Sequence, residues 1–394
     1  MVTADPSIRS AERFRLRSRY PRTIGRNARL GSHGDAPASE ILVLRTADGR
    51  TGWGLVEGAP GDASRLVGRP LSELISPDSG VLDPVERWAD VALHDLLGVV
   101  ADAPVHALLG GHGPLVPAGP AGLDGSGSPA APGSPASPGS PAVPVYDGAL
   151  YFDDLDPDAS PRGIDVILAQ CRADAAAGFT GFKLKIGRGH RWMPREAGDR
   201  RDVEVTRAVR EAFPDARILV DANDGYDLAG FLRYLEAVAD VDLYWVEEPF
   251  LDDAADLAAL RAWLDAHCPA TRIAEGEFSP DVAALMPIAA AGHIDVLLMD
   301  VLSFGITAWR QLMPEVIAAG AHASPHAWGE PLKTVYAAHL AAGLGGVEIV
   351  EGVPGTVDGV DPALLRPVDG MLHLSDRPGF GIPLPGEEHL LPSR

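Results

Sequence analysis

From residue 143 onward the chain repeats one pattern: a short apolar run ending on a charged or polar residue, a loop, then apolar positions at helical spacing. The runs begin at Val143-Pro144-Val145-Tyr146 and continue through Phe182-Lys183-Leu184-Lys185, Leu219-Val220-Asp221-Ala222-Asn223 and Trp245-Val246-Glu247-Glu248-Pro249. Ile273-Ala274-Glu275-Gly276-Glu277, Leu297-Leu298-Met299-Asp300, Ala323-Ser324-Pro325-His326 and Ile349-Val350-Glu351 complete the series. The periodic stretches between them predict helices over about 162–178, 197–213, 228–239, 254–267, 280–291, 305–319 and 331–343. Alternating strands and helices build a parallel sheet, and this many repeats predict an α/β fold closed as a parallel, TIM-like barrel over 143–352. Buried strands avoid charge, so charges at successive strand ends point to one shared site.

The first part reads differently. Phe14 and Leu16 alternate with arginines, which predicts a strand with one exposed face. Ile41–Arg45, the Ala47-Asp48-Gly49 turn and Thr51–Val56 predict a hairpin. Residues 84–109 predict a helix that starts on Asp83-Pro84 and stops at Gly110-Gly111. Residues 1–113 thus form an α+β domain. Residues 114–142 are almost entirely Pro, Gly, Ser and Ala, which predicts a flexible insertion without a core of its own. In the segment 353–394, Met371–Leu374 and Pro378–Gly381 predict a strand and turn that return to the first domain.

Composition narrows the function. Asp and Glu outnumber Lys and Arg by 55 to 33, a formal charge of -22, which argues against a nucleic-acid partner. No run approaches the roughly 20 apolar residues of a membrane span. The N-terminus lacks a signal peptide's apolar region, and the two cysteines, Cys171 and Cys268, fit a cytoplasmic protein.

Three successive strands end in Asp221, Glu247 and Glu277. Convergent carboxylates repel one another unless neutralised, and an all-oxygen set suits a hard cation, Mg2+ above all. Glu248 and Glu275 point away from that set by strand alternation, and Glu277 is chosen over Glu275. Lys183 and Lys185 lie two apart, so both face the interior, where burial demands negative charge nearby. Lys185 qualifies as a base if its pKa falls from ~10.4 toward ~7–8; a structural ion pair explains it equally. Asp300 and His326 end adjacent strands and fit a carboxylate–imidazole acid/base pair. Glu351, with Glu348 as competitor, fits a hydrogen-bonding group for a developing oxyanion.

Together these residues resemble the enolase superfamily and, within it, the mandelate racemase subgroup (the mandelate racemase/muconate lactonizing enzyme family). The likeness covers nearly the whole chain, including Ala92–Gly98 and Pro104–Gly111, which resemble that family's capping-domain helix. It implies an α+β capping domain over a (β/α)7β TIM-like barrel, completed by the C-terminal segment, and self-association into a homo-oligomer. Asp221, Glu247 and Glu277 match the metal ligands, Lys185 and His326 the bases, Asp300 the dyad aspartate and Glu351 the electrophilic glutamate. The implied chemistry is Mg2+-dependent removal of the proton next to a carboxylate to give an enediolate, with Lys183 near the developing charge; use of a Lys or His base with magnesium is this superfamily's known pattern.

Asp300 stands where the muconate-cycloisomerase and succinylbenzoate-synthase branch would place a lysine. The Gly187–Arg195 loop is longer than in mandelate racemase, cationic and aromatic, which suits an acid-sugar substrate. Asp221-Ala222-Asn223 resembles sugar-acid dehydratases, with Asn223 free to bind a substrate hydroxyl. The expected reaction is dehydration to a 2-keto-3-deoxy acid. A racemase or epimerase using both bases, and a sugar-acid binder without catalysis, are the rivals. Which of Lys185 and His326 is the base stays open.

Overall fold

The computed structural model describes residues 5–56, 61–110, 140–277 and 280–393, so the 114–142 insertion lies almost wholly outside the described residues. β1 (Ile8–Arg19), β2 (Ala38–Thr46) and β3 (Thr51–Val56) form an antiparallel sheet in sequence order. Arg9, Arg17 and Arg19 of β1 are exposed, whereas Leu16 is buried, as the alternation predicts. Period two also sorts β2 between two cores. Leu42 and Leu44 pack in the cluster around helix α1 (Asp90–Ala101), while Ile41 and Val43 join the cluster that runs into the barrel. The short hairpin of β4 (Ile75–Ser76) and β5 (Gly80–Val81) lies against α1.

The helix expected over 84–109 is three pieces. A 3-10 turn, Pro84–Ala89, capped by Asp83, precedes α1, and α2 (Val105–Leu108) follows a break. Asp102 adopts a left-handed conformation with φ 54, and Pro104 disfavours a helical residue before it.

The barrel strands are β6 (Ala142–Leu150), β7 (Gly181–Lys185), β8 (Arg217–Asp221), β9 (Leu243–Glu247), β10 (Arg272–Glu275), β11 (Val296–Leu297), β12 (His322–Ala323) and β13 (Val350–Gly352). They pair in parallel in chain order, with β13 returning to β6. A parallel bridge from Ala323 to Val347 brings β12 against the lead-in to β13 and closes the ring. The covering helices are α3 (Ile164–Ala176), α4 (Arg188–Arg191), α5 (Arg195–Ala212), α6 (Leu228–Ala237), α7 (Ala254–His267), α8 (Val282–Ala290), α9 (Ile306–Ala318) and α10 (Pro331–Leu344). Only the short α4 was not foreseen among them.

Inside the ring, Tyr146, Leu219, Trp245, Ala274, Val296, Leu298 and Ile349 form one apolar layer. Alternate residues such as Phe182, Val220, Val246 and Ile273 join the surrounding core. Two residues beyond Leu219 and Trp245 the same inward parity delivers Asp221 and Glu247.

The C-terminal segment divides between the two parts. β14 (Thr356–Val357) and β16 (Leu391–Pro392) pair with β1 of the first sheet. β15 (Met371–His373) instead pairs antiparallel with β6 of the barrel, which corrects the expectation for Met371–Leu374. Pro378–Gly381 does meet the first domain: Gly379 bridges Pro104, and Phe380 N–H donates to Asp95 of α1 at 2.8 Å. Among the described residues, no helix is long and apolar enough to cross a membrane.

Candidate active site

Strand register assembles the site. Lys185, Asp221 and Glu247 are register partners across β7, β8 and β9, so all three stand at one level at the carboxyl ends of their strands. Simple alternation would leave Glu277 on the same side as Glu275. Gly276, at φ 106, interrupts the strand between them, and Glu277 turns into the cluster. Asp221, Glu247 and Glu277 each offer one oxygen within 4.8 Å of the others. Glu275 is buried elsewhere, beside Asp252.

Lys183 Nζ lies 2.6 Å from Glu247 Oε1, 2.8 Å from Glu351 Oε1 and 3.4 Å from Asp221 Oδ2. Lys185 Nζ pairs with Asp221 Oδ2. His326 Nδ1 faces Asp300 Oδ2 at 2.8 Å, which leaves Nε2 3.2 Å from Glu277 Oε1 and 3.7 Å from Glu351 Oε2. That Nε2 makes no hydrogen bond among the described residues. Glu351 Oε2 accepts from Ala327 N–H at 2.9 Å. Glu348, its competitor, pairs instead with Arg272 at 3.0 Å and Tyr244 at 2.9 Å.

Four buried or nearly buried carboxylates therefore meet two ammonium groups, and they stay in excess even with His326 protonated and Lys333 counted against Asp300. Excess buried negative charge calls for a cation. Glu277 Oε2, buried and without a hydrogen-bond partner among the described residues, is open to one. An oxygen-only set of this kind fits a hard divalent ion held by Asp221, Glu247 and Glu277.

The protonation states follow from the same arrangement. Burial alone would lower the pKa of Lys185, but the Asp221 carboxylate on its Nζ raises it above the ordinary lysine value. Of the two readings left open for Lys185, the ion pair is the one present, since the acids hold its proton in place. His326 is likewise pulled down by burial and pushed up on balance by Glu277, Glu351 and Asp300. Glu351 would be raised by burial, yet Lys183 and His326 bring it down to about 2. Asp300 is held below the usual carboxylate range by His326 and Lys333 against the penalty of burial.

Asn223 is fully buried at φ 42, and neither amide atom has a hydrogen-bond partner among the described residues. Its own N–H donates to Asp221 Oδ1 at 2.9 Å, so it stands next to the carboxylate cluster.

The cationic side chains of the Gly187–Arg195 loop have partners within the chain. Arg188 is buried between Asp154 and Asp202 at 2.7 Å each and donates to the Lys185 carbonyl at 3.2 Å. Arg191 and Trp192 donate to the carbonyls of Arg29 and Asn27, both at 2.6 Å, and Arg195 pairs with Asp199. The loop supports β7 and grips the segment arriving from the first domain; its arginines are committed to those tasks. Arg29 of that segment pairs with Asp224, next to Asn223.

Several nearby groups carried no signal that the repeat analysis used. Lys333, in the first turn of α10, reaches Asp300 Oδ2 at 2.5 Å. Tyr151, Trp328 and His33 form an aromatic wall, with ring centroids of Tyr151 and Trp328 4.9 Å apart and Lys185 Nζ 5.3 Å from the Tyr151 ring. A lysine at a helix N-terminus runs against the backbone dipole, and that oddity was the available sequence signal.

Comparison with known proteins agrees with this architecture. Residues 166–388 match the family model described as enolase C-terminal domain-like. A galacturonate dehydratase from a Geobacillus species, solved with D-galacturonate and 5-keto-4-deoxy-D-galacturonate, is 29% identical, with a TM-score of 0.84 over 98% of this chain and 96% of that one. A mandelate racemase/muconate lactonizing protein from Geobacillus sp. Y412MC10, solved with magnesium and tartrate, is 30% identical, with a TM-score of 0.85 over 98% and 94%. D-galactarolactone cycloisomerase of Agrobacterium fabrum is 27% identical over 226 residues, 52% of this chain and 55% of the relative. The chain spans about half the length or less of the first curated relatives it matches. By its barrel, its capping sheet and a family match over more than half of its residues, the chain belongs to the enolase superfamily, among proteins of the mandelate racemase/muconate lactonizing enzyme type.

Proposed function

We propose that this protein is a magnesium-dependent dehydratase that converts an acid sugar into a 2-keto-3-deoxy acid. The observation that carries this reading is the placement of two proton-transfer groups at two ends of one carboxylate cluster: Lys185 meets it at Asp221, His326 at Glu277. Support also comes from the likeness, over nearly the full chain, to a galacturonate dehydratase.

Asp221, Glu247 and Glu277 would hold the magnesium, which when bound supplies Lewis-acid charge to the substrate carboxylate. One of Lys185 and His326 takes the α-proton. His326, as imidazolium, gives a proton to the departing β-hydroxyl, so water leaves and the resulting enol tautomerises to the keto acid. Positioned proton transfer of this kind contributes about 10²–10⁴-fold. The α-proton is so weakly acidic that charge stabilisation matters more than base strength, and the Lys183 ammonium between Glu247 and Glu351 stands ready for it. Asn223, both of whose amide atoms lack a partner among the described residues, would bind a substrate hydroxyl.

The same two groups would serve a 2-hydroxyacid racemase or epimerase, one base on each face. Chelator dialysis followed by magnesium add-back, with product analysis, separates the readings. Dehydration predicts that activity is lost, then restored, with a keto acid as product. Inversion without loss of water would mark a racemase, and full activity in metal-free protein would remove the metal from the account.

A further inference from the structure

Asp300 receives four donors. Its Oδ1 accepts the backbone N–H groups of Leu302 at 2.8 Å and Ser303 at 3.0 Å. Its Oδ2 faces His326 Nδ1 at 2.8 Å and accepts from Lys333 Nζ at 2.5 Å. The imidazole and the ammonium therefore share one oxygen. Lys333 is only 6% exposed and sits in the first turn of α10, where the helix dipole disfavours a cation. Burying an ammonium there costs free energy that an apolar side chain of the same length would avoid. Its turn is also fixed from outside: Lys333 N–H donates to the Glu330 carbonyl at 2.9 Å, and the Glu330 carboxylate accepts from Ser18 at 2.5 Å and Ser39 at 3.1 Å, on the first sheet. The ammonium thus reaches the carboxylate from a mount that joins the two parts of the molecule.

We propose that Lys333 is a positioning residue for the Asp300–His326 pair. With Oδ1 anchored on the backbone, Oδ2 can still swing, and the carboxylate sets the ring orientation of His326. Lys333 fixes Oδ2, which keeps Nδ1 on Asp300 and Nε2 directed at Glu277 and Glu351. The inference rests on the proton-transfer role proposed above for His326. Lys333 is not among the three carboxylates that would hold the metal, so its effect separates from metal binding.

The test uses the full chain labelled with 15N-histidine. The Nδ1–H resonance of His326 is identified by its absence in His326→Asn and followed in Lys333→Met and Lys333→Arg. The expected result is loss or exchange broadening of that resonance in Lys333→Met and its retention in Lys333→Arg. In turnover of the acid sugar, Lys333→Met loses about 10–100-fold in kcat with KM nearly unchanged, and magnesium binding by calorimetry stays at the wild-type level. A sharp wild-type resonance together with wild-type kcat in Lys333→Met overturns the proposal, as does a fall in activity that leaves the resonance intact. Should Lys333→Met fail to fold, Lys333→Gln takes its place with the same two outcomes. If no acid sugar is turned over, the functional reading fails, while the resonance still decides the role of Lys333.

Discussion

A Cβ on Gly148 would lie against Glu351 Oε1. Glu351 has no free direction in which to retreat, since Lys183 Nζ holds Oε1 at 2.8 Å and Ala327 N–H holds Oε2 at 2.9 Å. Gly148→Ala should therefore displace Glu351 and Lys183 together and lower kcat by about tenfold or more, because small misplacements cost that much in a preorganised site. Steady-state kinetics beside a thermal melt checks this, and a wild-type kcat would show that the site tolerates the shift. Asn223→Ala should raise KM by about tenfold, the scale of one lost hydrogen bond, while kcat changes less. Most of these residues were legible in the sequence because strand-end register carries chemical meaning: Lys183, Lys185, Asp221 and Glu247 follow from parity alone. Glu277 does not, since it depends on the turn at Gly276. Lys333 was missed because it sits on a helix, seven residues after His326, where the repeat pattern assigns no inward direction.

Among the elements, the N-terminus of α10 carries a titration. Burial raises Glu330 to about 7, against the opposing hydrogen bonds from Ser18 and Ser39. Unfolded, the same side chain ionises near ~4.3. A carboxyl whose folded value lies above its unfolded one contributes stability that is complete below about pH 4 and is lost as pH rises through about 7. Wild type should then lose on the order of 1–3 kcal/mol between those limits, and Glu330→Gln, neutral throughout, should flatten the profile. Denaturant midpoints from pH 4 to 8 test it; parallel profiles for the two proteins would contradict it. Element-level reading succeeded where one signal acted alone, as with Asp83 before Pro84 or the Ala47-Asp48-Gly49 turn. It failed where two signals competed: Asp102 and Pro104 break a stretch whose periodicity is continuous. The partners of the Gly187–Arg195 loop were not legible because charge in a sequence does not state its partner, and Asp154 and Asp202, which claim Arg188, come from distant segments.

In the whole molecule, the first sheet and the barrel share one core, since Leu16, Ile41, Val43, Trp53 and Leu55 belong to the same cluster as the barrel residues. The two parts should unfold together, and a cation bound at the strand ends should stabilise both. Magnesium at ~100 times its dissociation constant would add about 2.7 kcal/mol to the unfolding free energy. A single thermal transition that rises with magnesium in wild type, but not in Asp221→Asn, is the expected outcome. The order of the barrel was visible from sequence because every apolar run after the first carries a titratable residue at its end. The division of the C-terminal segment between two sheets was not, because β14, β15 and β16 are two or three residues long and their partners lie far away in the chain. The central claim is removal of the proton next to a carboxylate. Proton NMR of a series of aldonic, aldaric and uronic acids with the protein and magnesium in deuterated water reads that step directly. The account predicts loss of the α-proton signal in one stereochemical set, with growth of keto-acid signals, and none of this without magnesium or in Lys185→Met, His326→Asn double-variant protein. Full retention of every α-proton, with magnesium bound and the wild-type fold intact, would contradict it.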